Sequence, residues 1–399
     1  MTHRRVLLAA GLGFALWACQ NDVLNSPSVS PYGAMFQRYV AMGNSVTAGV
    51  QSAGINDSTQ RQSYAALIGN VMRGDRFYYP SLNPPGCPPP LTNIFTGARV
   101  GGAGVTSTTC ALRNAALPPY VSDVAVPGAE TVDMLTNGTP NSNPLTQLFL
   151  GGRTQVQAMM DARPTFVSVW AGNNDLLAAA EAGDTTLATD TTAFRTSYAH
   201  ALDSIAATGA QAILIAVGLG HLYNNVVLPF FSRGTTWFGA ISSGAFAPAP
   251  LSVAANCAPP RGDTVLVSFA YGFGLVARAS QGIPTTLDCA APPVVEPAET
   301  RFLTLLQVKY NAIIQAEATA RGFAYTDSVN FMMDSLAAVP PAGSQFRPFP
   351  AVGAACSASP FGLAFSCDGI HPSQGTQLLI ARKIVRAINA KYNTTISTP

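Results

Sequence analysis

Apolar residues along this chain fall into short unbroken runs that end at glycine or proline. Runs at 39–42, 124–126, 165–170 and 211–217 stop at Gly43, Pro127-Gly128, Ala171-Gly172 and Gly218, and a weaker run covers 323–326. Continuous apolar runs, rather than alternating ones, predict strands of a parallel sheet covered on both faces. Helical patterns separate them, at 145–161, 191–207 and 298–320. A last helix is predicted over about 373–392, with Leu378, Leu379, Ile384 and Ile388 on one face. Strands alternating with helices predict a three-layer α/β/α sandwich with five parallel strands. It forms one domain over 36–392, followed by a short tail at 393–399.

Three long irregular insertions interrupt this scaffold, at about 74–122, 218–296 and 331–367. Each holds two cysteines, and the expected disulfides join Cys87 with Cys110, Cys257 with Cys289, and Cys356 with Cys367. A cysteine metal site is the weaker alternative, because no Cys-x-x-Cys is present and the chain has 4 histidines. Ligands of open α/β sheets bind beyond the carboxyl ends of the strands, so the insertions are expected to wall a cleft there. Decoration remote from the cleft is the alternative. Within the second insertion, Leu222, Tyr223, Leu228, Phe230, Phe231, Trp237 and Phe238 fit either an acyl-chain pocket or a packed mini-core.

The first 18 residues read as an address. Arg4 and Arg5 precede an apolar run at 6–18, too short to span a bilayer and suited to a secretory signal. Its end, Leu16-Trp17-Ala18-Cys19, resembles the lipobox of bacterial lipoproteins, which implies lipidation of Cys19 and a flexible tether over 19–35. Cleavage that leaves Cys19 as a bystander is the alternative. Gln20 after the cysteine resembles lipoproteins sorted to an outer membrane. Any other outcome of export leaves the protein secreted.

Composition narrows the function. Only 11% of the 399 residues are charged, 48% are hydrophobic, and Lys+Arg 22 nearly balances Asp+Glu 20. Disorder is excluded by the apolar content, and binding driven by nucleic-acid phosphates by the lack of a basic field. No phosphate loop, metal motif or other cofactor signature is present; Gly101-Gly102-Ala103-Gly104 is too short for one.

Chemistry concentrates in four short blocks. Gly43-Asn44-Ser45 follows the first strand, so Ser45 is exposed on a strand-to-helix turn with its amide at a helix N-terminus. Pro127-Gly128-Ala129 follows the second, where Gly128 lets backbone approach a substrate. Gly172-Asn173-Asn174-Asp175 follows the third; an asparagine amide there can cap a helix or donate to an oxyanion. Asp368-Gly369-Ile370-His371 precedes the last helix, and its spacing lets the carboxylate hold the imidazole tautomer. Of the other histidines, His3 lies in the leader, His200 reads as a surface residue, and His221 follows the fourth strand near the cleft.

Together the blocks resemble the SGNH hydrolase superfamily, the GDSL-type esterases and lipases, over about 36–392 without the insertions. The resemblance implies a flavodoxin-like sheet, with Ser45 as nucleophile, His371 as general base and Asp368 orienting it. It further implies an oxyanion hole of the Ser45 and Gly128 amides and the Asn174 side chain. Asn44 departs from the usual aspartate, which changes local hydrogen bonding rather than the nucleophile. The expected activity is hydrolysis of carboxylic esters, whether small esters, acylated lipids or acylated carbohydrates. A carbohydrate O-acetyl esterase and a catalytically weak binding lipoprotein are the alternatives. The residues leave oligomeric state open.

Overall fold

A computed structural model describes residues 29–115, 118–137, 143–218, 231–246, 250–327, 345–347 and 349–399. The leader, Cys19 and His221 lie outside these residues. At the centre is a parallel sheet of four strands, β1 (Tyr39–Gly43), β2 (Phe166–Trp170), β3 (Gln211–Ile215) and β4 (Ala324–Thr326), in that spatial order. Gly43 pairs with Trp170, so β1 and β2 end level with one another.

The expected fifth strand is corrected. Residues 122–126 run beside β1 but share only a single bridge with it, Ala41 to Asp123. Val124 N–H still donates to Ala41 carbonyl at 2.9 Å and Val126 N–H to Gly43 carbonyl at 3.1 Å. Asp123 lies just before the apolar run, and its buried carboxylate accepts from Ala125 N–H on the edge away from β1. Pro127 ends the run.

Side-chain alternation distributes the sheet between two cores. Val40, Met42, Val167, Val169, Ala212 and Leu214 face one. Tyr39, Ala41, Phe166, Ile213 and Ile215 face the other. Five helices near the sheet can be numbered in chain order: α1 (Ser45–Ala48), α2 (Tyr64–Met72), α3 (Gln155–Ala162), α4 (Asn174–Ala182) and α5 (Thr191–Ala207). α6 (Phe269–Ser280) belongs to the second insertion, and α7 (Pro297–Arg321) and α8 (Gln374–Tyr392) complete the set. The first core packs α3, α4, α5 and α7 against the sheet, and the second packs α2 and α8. Both faces are covered, which is why the strands carry no polar alternation.

The helix expected at 145–161 is instead two, Leu145–Leu150 and α3. The break falls at Gly151-Gly152, and Thr154 restarts the chain with a reciprocal capping box to Gln157. At the two ends of the domain, Ser30 is buried with its hydroxyl donating to Met72 carbonyl, and Ile396 of the tail is buried against α8.

The expectation of irregular insertions fails for the second. It contains an antiparallel sheet of Phe231–Arg233, Leu266–Ser268 and Val294–Val295, the helix Gly234–Ser242, and α6. Its strands are three residues or shorter, too brief for a period to show in sequence. All three expected disulfides are present: Cys87 with Cys110, Cys257 with Cys289, and Cys356 with Cys367. Among the described residues no helix is long and apolar enough to cross a membrane.

Candidate active site

Ser45 and Asn174 open the helices that follow β1 and β2, Gly128 follows residues 122–126, and Asp368 and His371 sit on the turn leading into α8. Ser45 opens α1, directly after β1. Asn44 caps that turn, its side-chain oxygen accepting from Val46 N–H at 3.0 Å. As the first helical residue, Ser45 has an amide with no intrahelical acceptor. The strand-to-turn junction needs glycine: a Cβ at Gly43 would lie 2.4 Å from Trp170 carbonyl oxygen. Gln155, fully buried, clamps this glycine from α3, accepting from its N–H and donating to its carbonyl at 2.9 Å each.

Asp368 and His371 form a tight pair. His371 Nδ1 lies 2.7 Å from Asp368 Oδ2, and their side chains are 13% and 5% exposed. A carboxylate accepting at Nδ1 places the neutral imidazole's proton there and leaves the Nε2 lone pair free for chemistry. Asp368 Oδ1 also accepts from the N–H groups of Ile370 and His371 at 2.9 Å and from Ser366 hydroxyl at 3.1 Å. Ala53 N–H reaches Oδ2. Burial opposes ionisation, but the neighbouring imidazole and these donors win, lowering the carboxyl to about 2.

The Asp-His turn is laced to the segment that follows Ser45. Ser52 N–H donates to Ser366 hydroxyl at 2.8 Å, and Cys367 N–H to Ser52 hydroxyl at 3.1 Å. From α8, the buried Gln377 donates to Val46 carbonyl and accepts from Tyr64 N–H. The turn that carries Ser45, α2 and α8 are thereby fixed to one another.

On the other flank, Asn174 Nδ2 donates to Ala129 carbonyl at 2.8 Å, which orients the amide and leaves its second N–H. Gly128, one residue before, has φ +77°, a left-handed turn conformation. Asp175 fastens the same loop: it is buried and accepts from Thr131 N–H at 3.0 Å and Thr131 hydroxyl at 2.6 Å. Burial raises the Asp175 carboxyl, and it pushes Glu130 up to about 7, with the charges of Asp175 and Asp133 adding.

Sequence reasoning missed residues that support or adjoin these loops. Asn173 was passed over beside Asn174, yet its side chain donates to Gly218 carbonyl at 2.7 Å and accepts from Asn44 at 3.4 Å. It ties together the loops beyond β1, β2 and β3. Glu181 lies seven residues beyond Asn174 on α4 and therefore on the same helical face. Burial raises its carboxyl while the charge of His371 acts the other way. His200 is exposed, as expected of a surface residue.

The aromatic residues weighed for an acyl pocket are otherwise placed. Phe231 and Trp237 are fully buried, and Trp237 packs among Phe246, Phe269, Phe273 and Phe349 at ring-centroid distances of 5.0–6.0 Å. For these two the mini-core reading holds and the pocket reading is overturned. Leu222, Tyr223, Leu228 and Phe230 lie outside the described residues.

No protein-family model and no curated protein matches this chain. Among solved structures it is similar to TesA, at 11% identity and TM-score 0.37, covering 89% of this chain and 99% of that one. A catalytic mutant of Axe2, an acetylxylan esterase from Geobacillus stearothermophilus, is similar at 11% identity and TM-score 0.39, covering 91% and 96%. LAE5, an alpha/beta hydrolase enzyme from the metagenome of Lake Arreo, Spain, is similar at 11% identity and TM-score 0.37, covering 92% and 96%.

Proposed function

We propose that the protein is an exported serine esterase of the SGNH type. The observation that carries this reading is the Asp368–His371 pair, with its ionised carboxylate held by four donors and its turn hydrogen-bonded to the segment after Ser45. A carboxylate merely capping a helix would not need an imidazole at 2.7 Å or a loop from the nucleophile turn to fix it.

Ser45 Oγ attacks the ester carbonyl while its proton passes to His371 Nε2. Asp368 stabilises the imidazolium without taking its proton. The carbonyl oxygen, now an anion, is met by the amides of Ser45 and Gly128 and the remaining N–H of Asn174. Collapse of the tetrahedral intermediate breaks the bond to the alcohol, which leaves with the proton from His371. Water, deprotonated by His371, then attacks the acyl-enzyme; the second tetrahedral intermediate collapses, the acyl–Oγ bond breaks, the carboxylic acid leaves, and His371 returns the proton to Ser45 Oγ.

Burial of Phe231 and Trp237 removes both from the candidates for a long acyl pocket. Three disulfides fit an oxidising compartment, and lipidation of Cys19 would hold the enzyme at a membrane. The test is hydrolysis of p-nitrophenyl esters from acetate to palmitate by disulfide-intact protein, with Ser45→Ala subtracted. A Ser45-dependent rate is expected, and its chain-length optimum chooses between the carbohydrate O-acetyl esterase and the lipase. Absence of a rate at every length, together with no fluorophosphonate labelling of Ser45, would leave a binding lipoprotein instead.

A further inference from the structure

A second concavity lies close to the candidate active site in the chain. Ala53 donates to Asp368, and four residues later Asp57 lines a cavity of about 470 Å³. Four residues span at most about 14 Å. The cavity's other walls include Arg61, Arg76, Tyr78, Tyr79 and Arg113.

Its floor is built rather than incidental. Gln60, 1% exposed, donates to Pro80 carbonyl at 2.9 Å and accepts from Leu82 N–H at 3.1 Å, pinning the loop that carries the tyrosines. Asp57 accepts from Ser81 hydroxyl at 2.6 Å and Tyr79 hydroxyl at 3.0 Å and pairs with Arg61. These donors hold Asp57 ionised below the usual carboxylate range.

The other two guanidinium groups are different. Neither Arg76 nor Arg113 pairs with a carboxylate among the described residues. Arg113 is fixed by donating to Phe149 carbonyl at 2.7 Å, which leaves further N–H groups on its planar fork. The Arg76 guanidinium lies 5.3 Å from the centre of the Tyr78 ring. Two uncompensated guanidinium groups in one concavity favour a carboxylate or another planar anion. The ionised Asp57 disfavours a densely anionic ligand and calls for hydroxyl donors. The half-buried Tyr79 ring on the cavity wall adds apolar surface beside these polar groups.

We propose that this cavity binds a uronic-acid-bearing saccharide, its carboxylate held by Arg76 and Arg113 and its hydroxyls by Asp57. Those three demands, one carboxylate, several hydroxyls and a ring with an apolar face, meet in that ligand class. The proposal stands independently of the esterase reading, because binding needs no turnover.

Calorimetric titration of the Ser45→Ala protein tests it, using tetragalacturonate, neutral xylotetraose and inorganic phosphate as probes. Tetragalacturonate is expected to bind at least tenfold more tightly than either of the others. Arg76→Gln, which disturbs no side-chain hydrogen bond among the described residues, should weaken that binding at least fivefold with an unchanged melting temperature. Arg113→Gln should do the same, with Arg76→Gln standing as the cleaner variant if loss of the Phe149 contact unfolds the protein. Equal affinity for xylotetraose, phosphate binding as tight as the uronate, or no binding at all would each overturn the proposal.

Discussion

The loops beyond β1 and β2 and the second insertion are held together by opposite means. Around Ser45, Asn174 and Asp368, buried polar groups specify position one hydrogen bond at a time: Gln155 on Gly43, Asp175 on Thr131, Ser366 on Ser52. In the insertion, Trp237 and its aromatic neighbours specify position by volume, with a disulfide beside them; a Cβ at Gly234 would lie 2.8 Å from Cys289 sulfur. Hydrogen bonds are directional, so they fix orientation to the precision that proton transfer needs. Packing is non-directional and supplies stability. The two regions therefore divide chemistry from stability, and substitutions should separate them.

The sharpest separation comes from the chemistry side. Ser45→Ala and His371→Ala should each abolish turnover while leaving the melting temperature within a few degrees. Asp368→Asn should retain His371 but lower kcat by about 10⁴-fold, the scale seen when a triad carboxylate loses control of its tautomer. A fully active His371→Ala enzyme would refute the mechanism.

Asn174→Ala comes next, with an expected loss of about 10²–10³ in kcat for one oxyanion donor. Its Nδ2 also fixes Ala129, so a structural explanation predicts a changed KM as well. An unchanged KM with lowered kcat would assign the effect to the transition state.

How far these residues were legible follows from the same contrast. Ser45, Asn174, Asp368 and His371 sit in short blocks whose residue types suit the proposed chemistry, so adjacency in sequence exposed them. Their supports did not show. Gln155 acts on a residue 112 positions away and Gln377 on one 331 positions away, and an isolated glutamine carries no mark of the bond it makes. Asn173 was masked by its neighbour, since either asparagine suits a strand end. The scaffold was readable where elements were long: the helix expected at 191–207 is α5, and that at 298–320 differs from α7 by one residue at each end. It was unreadable where three-residue strands carry no period, as in the second insertion, and where the run at 124–126 lies beside β1 with only one bridge between them.

The pH response sharpens the comparison from the polar side. The Asp368 carboxyl is lowered in the folded protein to about 2 from 3.8. A depressed folded value means its stabilisation is complete above pH 3.8 and is lost as pH falls towards about 2. Unfolding of the wild type should therefore steepen with acid across that window. Asp368→Asn should flatten the slope, and equal slopes in both proteins would show that the pair adds nothing to stability.

The smallest expected effect on activity lies in the insertion, and it is the one best able to break the division. Trp237→Ala removes the centre of the aromatic cluster and should cost about 3–5 kcal/mol in stability through the cavity left behind. The cluster does approach the catalytic turn: Phe349 and Phe361 both contact Phe269, and Phe361 lies seven residues before Asp368. Yet the bonds that hold Asp368 come from Ala53, Ser366 and its own turn, His371 included, and none comes from the insertion's aromatic cluster. Activity per folded molecule should then fall less than tenfold, measured with denaturation curves and active-site titration on the same sample. A hundredfold loss in kcat would show instead that aromatic packing positions the Asp368–His371 turn, and that volume, not only direction, sets the chemistry.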